Sequence, residues 1–146
     1  MNTPKIVGVL SIIAGIIMAV AGIITYVTVS QQLAAENITV PDDAIFLAGD
    51  KVDGPFSAYA QADIINKHAL ESSGGETYAT LDREDPARAQ MMNASFLRAS
   101  LFTSVVSFGL AALVVGLGIL FALQGWSLMA LSKRYAPARV QEVDRV

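Results

Sequence analysis

The stretch DREDPARAQMMNASFLRASLFTSVV, residues 82–106, passes from a charged segment into strongly apolar sequence with no glycine or proline after Pro86. Asp85 is suited to cap a helix, and Pro86 suits the first turn. We therefore predict one unbroken helix from Pro86 to about Leu123, on the order of 55 Å long at 1.5 Å per residue. The hydrocarbon core of a bilayer is only about 30 Å thick. The outer third of this helix must consequently pack on a local helix or on a neighbouring protein.

Two stretches of the chain, residues 6–35 and 99–132, contain no charged residue. The apolar runs inside them, residues 6–29 and 101–123, each exceed the roughly 20 residues that cross a membrane. The residues Ala19-Val20-Ala21 would suit a signal peptidase, but the apolar run continues beyond them, which favours an uncleaved signal anchor. These features predict a mainly α membrane protein whose two transmembrane helices form a hairpin.

The distribution of charge predicts the orientation of the two spans. Residues 36–98 carry eleven acidic and five basic side chains, a net charge of −6, whereas the two ends carry five basic and two acidic, a net charge of +3. Because basic residues concentrate on the cytoplasmic side, we expect a plasma-membrane protein with both termini in the cytoplasm; three arginines near the second run, Arg83, Arg88 and Arg98, oppose this bias. The predicted segments are a cytoplasmic N-terminus (1–5), transmembrane helix 1 (6–29), an extracytoplasmic module (30–100), transmembrane helix 2 (101–123) and a cytoplasmic tail (124–146).

The outer module contains about 60 residues and one predicted amphipathic helix. The sequence FSAYAQADIINKHALESS follows Pro55, which suits a first helical position, and Gly74 stops it. Asp63 and Lys67 have the spacing of a favourable intrahelical ion pair. The chain has no cysteine, so no disulfide staples the module, and a module of this size buries little surface on its own. Packing against a partner would compensate, which argues for membership in a complex.

Small residues recur along both spans at spacings of three or four. In lipid such stripes let helices approach closely, because packing drives their association there. The stripes predict either the hairpin itself or docking of one stripe on a foreign helix. The predicted helix-packing residues are Gly8, Ser11, Gly15, Ala19, Gly22, Gly109, Ala112 and Gly116.

The residues that carry chemistry are sparse. His68 is the only histidine, whereas a facial-triad iron site needs two and zinc enzymes commonly use two or three. The acidic residues Asp82, Glu84 and Asp85 are best explained by the positive end of a helix dipole. Neither span contains an Asp, Glu, Lys, Arg or His residue, which disfavours a transporter. We predict no catalytic residue, no metal site, no bound cofactor and no nucleic-acid partner.

The segments FLAGDKVDGPFSAYAQADIINKHALE (46–71) and TYATLDREDPARAQMMNASFLRASLFTSVVSFG (77–109) resemble a family of small two-span actinobacterial membrane proteins. That family is often labelled an aromatic ring-opening dioxygenase, which the histidine count contradicts. It is also similar to the prokaryotic respiratory supercomplex association factor of the cytochrome bcc–aa3 assembly. The resemblance covers roughly residues 37–118. It implies an accessory subunit beside cytochrome bc and cytochrome oxidase subunits, with haem, copper and quinone bound by those partners.

Three functions therefore remain open. The first is a non-catalytic accessory subunit that docks on and stabilises a larger membrane complex, most specifically the respiratory one. The second is a small homo-oligomeric two-span channel, although the spans offer few polar side chains to line a pore. The third is an extracytoplasmic adaptor that uses its outer module to bind a ligand.

Overall fold

A computed structural model describes residues 3–143 of the chain, with side chains described through residue 133. Within this range the chain folds into three α-helices and no strand: α1 (Thr3–Ala35), α2 (Pro55–Ser72) and α3 (Ala87–Val143). The all-helical class predicted from the sequence is confirmed. Arg134, Arg139 and Arg145, which contribute to the predicted orientation, lie outside the described side chains.

α1 and α3 are both long and apolar enough to cross a membrane. In each helix only 17% of the most apolar 18-residue window is buried. A core helix of a soluble protein would be mostly buried, whereas these helices expose long rows of aliphatic side chains such as Ile16, Ile17 and Leu120. Their surfaces therefore favour contact with lipid.

The helix ends follow from local sequence. α2 begins at Pro55, and the hydroxyl of Ser57 accepts hydrogen bonds from the backbone N–H groups of Asp53 and Gly54 at 3.2 and 3.1 Å. α2 ends at Ser72, before Gly74, which has a φ of +68° that glycine adopts without strain. α2 lies where the sequence predicts a helix, shifted by one residue at each end from the predicted stretch 56–73.

α3 is one helix of 57 residues, about 85 Å long at 1.5 Å per residue. The Asp85 carboxylate accepts a hydrogen bond from the N–H of Ala87 at 2.7 Å, so Asp85 caps the helix as predicted. The predicted end near Leu123 is wrong, because the helix continues to Val143. Residues 124–133 are rich in good helix formers (Gln, Leu, Met, Ala, Lys), and the end of an apolar run is not a helix stop.

The described residues group into two compact units. The first, here the glycine unit, comprises the chain up to Ile24 and from Leu110 onward; the second, here the outer unit, comprises Thr25–Gly109. The outer unit has two apolar clusters. One is centred on Val40, Val52 and Phe108, and the other joins Ala69 of α2 to Met91 of α3.

Candidate functional site

In the glycine unit, three small residues of α1 lie directly against three small residues of α3. Each set repeats every seven residues, which is close to two helical turns and keeps its members on one face. A methyl group built on Gly8 would lie 2.8 Å from the carbonyl oxygen of Gly125, and one on Gly118 would lie 2.6 Å from that of Gly15. The two sets, which we call the glycine seam, are Gly8, Gly15 and Gly22 on α1 and Ala111, Gly118 and Gly125 on α3.

The seam contains only some of the predicted packing residues. Gly8, Gly15 and Gly22 lie in it, and the backbone nitrogen of Ala19 borders it, 2.8 Å from a methyl built on Gly118; Ser11 is half-buried. The stripe predicted on α3 is not the one facing α1, since Ala112 is exposed and Gly109 and Gly116 have open space around them. Docking of a foreign helix on that exposed stripe stays a prediction.

Sequence reasoning missed Ala111, Gly118 and Gly125. α3 carries two small-residue stripes, and spacing within α3 alone does not distinguish them. The seven-residue spacing of Gly8, Gly15 and Gly22 does not decide between them either, because Gly109 and Gly116 repeat it as well as Ala111, Gly118 and Gly125 do.

A second feature lies in the outer unit, where a loop between α1 and α2 carries apolar side chains at its surface. Hydrogen bonds from the N–H of Val40 to the carbonyl of Asp50 and from the N–H of Gly49 to the carbonyl of Val40, both 2.9 Å, close this loop. At its tip Ile45 is 86% exposed, and Phe46 and Leu47 are also exposed. A well-held loop with an apolar tip is suited to contact with another apolar surface.

The loop is also tied to α2 by charged side chains. The Asp43 carboxylate accepts hydrogen bonds from His68 Nε2 at 2.8 Å and from Lys67 Nζ at 3.1 Å. Lys67 therefore pairs with Asp43, and the predicted pair with Asp63 is wrong. The contact joins residues 24 and 25 positions apart in sequence, so helical spacing gave no signal for it.

This contact makes the loop sensitive to acid. The hydrogen bond from His68, and after it that from Lys67, holds the pKa of the Asp43 carboxyl below its ordinary value of 3.8. A lowered pKa in the folded state stabilises the fold above 3.8, and this stabilisation is lost as the pH falls through the lower folded-state value. The contribution is small because the pair is exposed to solvent.

We therefore expect Asp43→Asn to reduce the loss of stability as the pH falls from about 5 to below 3.8. Thermal unfolding of the detergent-solubilised protein across this range measures the effect. Asp42→Asn, which removes a neighbouring charge not bonded to α2, is the matched control. Equal slopes for wild type and Asp43→Asn would show that the contact does not form in solution.

No metal centre is evident. Within the described side chains, no three His, Cys, Asp or Glu residues converge on one point. The single cluster built around His68 contains Lys67, whose ammonium group occupies the same carboxylate oxygen of Asp43.

A further apolar surface lies on α3 before the apolar run, and it comprises Met92, Phe96 and Leu97. A different part of the helix surface packs on α2 through Met91 and Ala94. The local helix therefore covers one side only. Phe96 is 67% exposed and Leu97 is 56% exposed. We call Met92, Phe96 and Leu97 the outer α3 face.

Comparison with protein-family models, with curated proteins and with solved structures found no match to this chain. The resemblance described above therefore stays a prediction that the quoted residues alone support.

Proposed function

We propose that this protein is a non-catalytic accessory subunit that docks on a larger membrane complex and stabilises it. In this proposal α1 and α3 cross the plasma membrane as a hairpin held by the glycine seam. Both termini lie in the cytoplasm and residues 30–100 lie outside, as the distribution of charge favours. The observation that carries the proposal is the uncovered outer α3 face.

The position of this face favours protein over lipid as its cover. For a helix near the bilayer normal, Phe96 and Met92 lie about 8 and 14 Å beyond Leu101, the first residue of the apolar run. The headgroup layer extends only about 5–7 Å beyond the hydrocarbon. Lipid therefore does not reach Met92, and aligned apolar side chains outside the bilayer are typical of a protein interface. An integral membrane subunit with its own outer segment would cover both Phe96 and Met92.

The partner we propose is the cytochrome bcc–aa3 respiratory assembly. Only the resemblance of residues 46–71 and 77–109 supports this choice, and nothing in charge, burial or spacing points to respiration. In this proposal cytochrome bc and cytochrome oxidase subunits bind the haem, copper and quinone, and this chain binds no cofactor. Its removal should weaken the association of the two enzymes while their redox centres stay intact.

Purification through a C-terminal tag in a mild detergent tests the proposal. We expect the eluate to show the b-, c- and a-type haem signals in reduced-minus-oxidised absorbance, with the partner subunits identified by mass spectrometry. Phe96→Ser should lower the co-purified haem about tenfold or more, as truncation of a central aromatic contact does at protein interfaces. Phe56→Ser, which removes another strongly exposed phenylalanine from α2, is the matched control and should retain the haem.

Two results would contradict the proposal. A colourless homo-oligomer would exclude the respiratory partner and favour the channel, which ion conductance in a planar bilayer would then test. Equal haem recovery with Phe96→Ser and wild type would show that the outer α3 face is not the docking surface.

A further inference from the structure

The packing of α2 on α3 places one surface of the outer unit level with the beginning of the apolar run. α2 and α3 run antiparallel in this unit: the ring of Tyr59 lies 5.9 Å from that of Phe102, whereas Ala69 packs with Met91. Phe102 is the second residue of the apolar run 101–123. The start of α2 therefore lies level with the beginning of the apolar run, and Ala69, ten residues after Tyr59, lies about 15 Å farther out at 1.5 Å per residue.

Aromatic side chains from three parts of the chain meet at this level. Phe46 from the loop lies 6.1 Å from Tyr59 of α2, which in turn contacts Phe102 of α3. Phe56, one turn before Tyr59 in α2, is 75% exposed. We call Phe46, Phe56, Tyr59 and Phe102 the boundary patch. Tyr and Trp concentrate at the headgroup level of membranes because their rings combine an apolar body with a polar group. Phe side chains of interfacial helices bury at the boundary between headgroups and acyl chains.

A cation stands directly above this patch. The guanidinium carbon of Arg98 lies 5.9 Å from the centre of the Phe102 ring, one turn farther from the apolar run. Among the described side chains no carboxylate lies within ion-pair distance of Arg98. Of its guanidinium nitrogens only Nε is buried without a partner, so the two Nη groups are the donors that an acceptor outside the protein can reach. A phosphate oxygen is the acceptor that an arginine at headgroup depth would meet.

We propose that the boundary patch rests in the adjacent leaflet of the membrane and that Arg98 binds the phosphate of a phospholipid there. The first turn of α2 acts as an interfacial anchor, with Phe56 among the upper acyl segments. Arg98 and Phe102 lie on the same side of α3, so one lipid can contact the guanidinium with its phosphate and the ring with its chain. The chain makes this contact by itself, whether or not it joins a larger complex.

The outer α3 face is a separate surface. Phe96 lies about 120° around the helix axis from Phe102 at 100° per residue. Phe96 also lies farther from the apolar run than Phe102 does.

A shallow groove of about 430 Å³ lies beside Phe56, and Asp50, Lys51 and Asp53 are among the residues that line it. Charges of both signs there suit the polar side of a headgroup layer.

Tryptophan fluorescence in liposomes tests the anchor. Trp126 is the only tryptophan, so Trp126→Phe provides a silent background for Phe56→Trp. In vesicles of phosphatidylcholine and phosphatidylglycerol brominated near the top of the acyl chains, we expect the introduced indole to lose most of its emission. Acrylamide in the water should quench it little. Tyr78→Trp is the control, because Tyr78 stacks on Arg88, about 20 Å along α3 from Phe102; it should respond to acrylamide and not to bromine.

Retained lipid tests the phosphate site. Native mass spectrometry of the full chain released from detergent should show bound phospholipid in wild type and Arg98→Lys but not in Arg98→Gln. Inorganic phosphate added in excess should not displace it, since a free anion makes no contact with the patch. Thermal unfolding of each variant shows whether a loss of bound lipid results from a loss of fold. The fluorescence test is independent of this question, because its variants keep Arg98.

Two outcomes would overturn the inference. Strong acrylamide quenching without bromine quenching of the Phe56→Trp protein, in vesicles containing no other protein, would assign the boundary patch to a protein partner. Equal lipid retention by wild type and by folded Arg98→Gln would remove Arg98 from any lipid site.

Discussion

Gly15→Leu is expected to separate α1 from α3. A Cβ atom at Gly15 would lie against the carbonyl oxygen of Gly118 and 2.8 Å from the backbone nitrogen of Ala122. These are backbone atoms, which cannot rotate away as a side chain can, so the helices must move apart along the whole glycine seam. Overpacking typically costs about 1–3 kcal/mol, and we expect the upper end of that range because close packing is what holds helices together in lipid.

Reversible unfolding in mixed micelles, titrated with sodium dodecyl sulfate and followed by Trp126 emission, measures this loss. Gly116→Leu is the matched control: the same substitution in the facing helix α3, at a glycine with nothing within 4 Å of the added Cβ. It should leave the midpoint almost unchanged. Equal midpoints for Gly15→Leu and Gly116→Leu would mean that the seam does not hold the two helices together.

Phe108→Ala is expected to be the most damaging truncation in the outer unit. Phe108 is 1% exposed, and its ring meets that of Tyr26 edge-on at 4.7 Å. Phe→Ala substitutions in soluble cores cost about 3–5 kcal/mol. In soluble proteins part of that cost comes from transferring the side chain out of water. This part is absent where the unfolded chain remains in lipid. We therefore expect Phe108→Ala to lower the free energy of unfolding by about 2–3 kcal/mol, chiefly because it leaves a cavity.

The same sodium dodecyl sulfate titration measures the loss of stability in Phe108→Ala. Leu110→Ala provides the control. Leu110 is two residues further along α3 and 57% exposed, so its truncation removes surface without opening a cavity and should cost almost nothing. If Leu110→Ala proved as damaging as Phe108→Ala, the burial of the Phe108 ring would not contribute to stability.

Much of the helical architecture was predictable because it follows from local chemistry. The charge-free stretches located the apolar parts of α1 and α3, and Pro55 and Gly74 located the ends of α2. Asp85 marked the start of α3. Each of these signals comes from residues that are close together in sequence, so it can be recognised without knowing the fold. The end of α3 does not follow from the apolar pattern, because the apolar run stops near Leu123 while the residues after it still favour helix.

What could not be predicted depends on contacts between distant residues. Asp43 meets Lys67 and His68 only because the loop folds back on α2, and the sequence carries no spacing that links them. The choice of face on α3 is similar: Gly109 and Gly116 satisfy the small-residue rule as well as Gly118 does. The facing helix decides between the stripes, and only the structure shows which one it meets.

The regular period of the glycine seam has a consequence for its alignment. The pairs Gly8 with Gly125, Gly15 with Gly118 and Gly22 with Ala111 step by seven residues in opposite directions. A shift in register by seven residues, about 10 Å, would again bring two glycines together, Gly8 and Gly118. Such a shift places Gly15 against Ala111, a glycine–alanine pair that the native alignment already contains, but it places Gly22 against Ser104. Only the native alignment therefore matches all three glycines of α1 with glycine or alanine on α3.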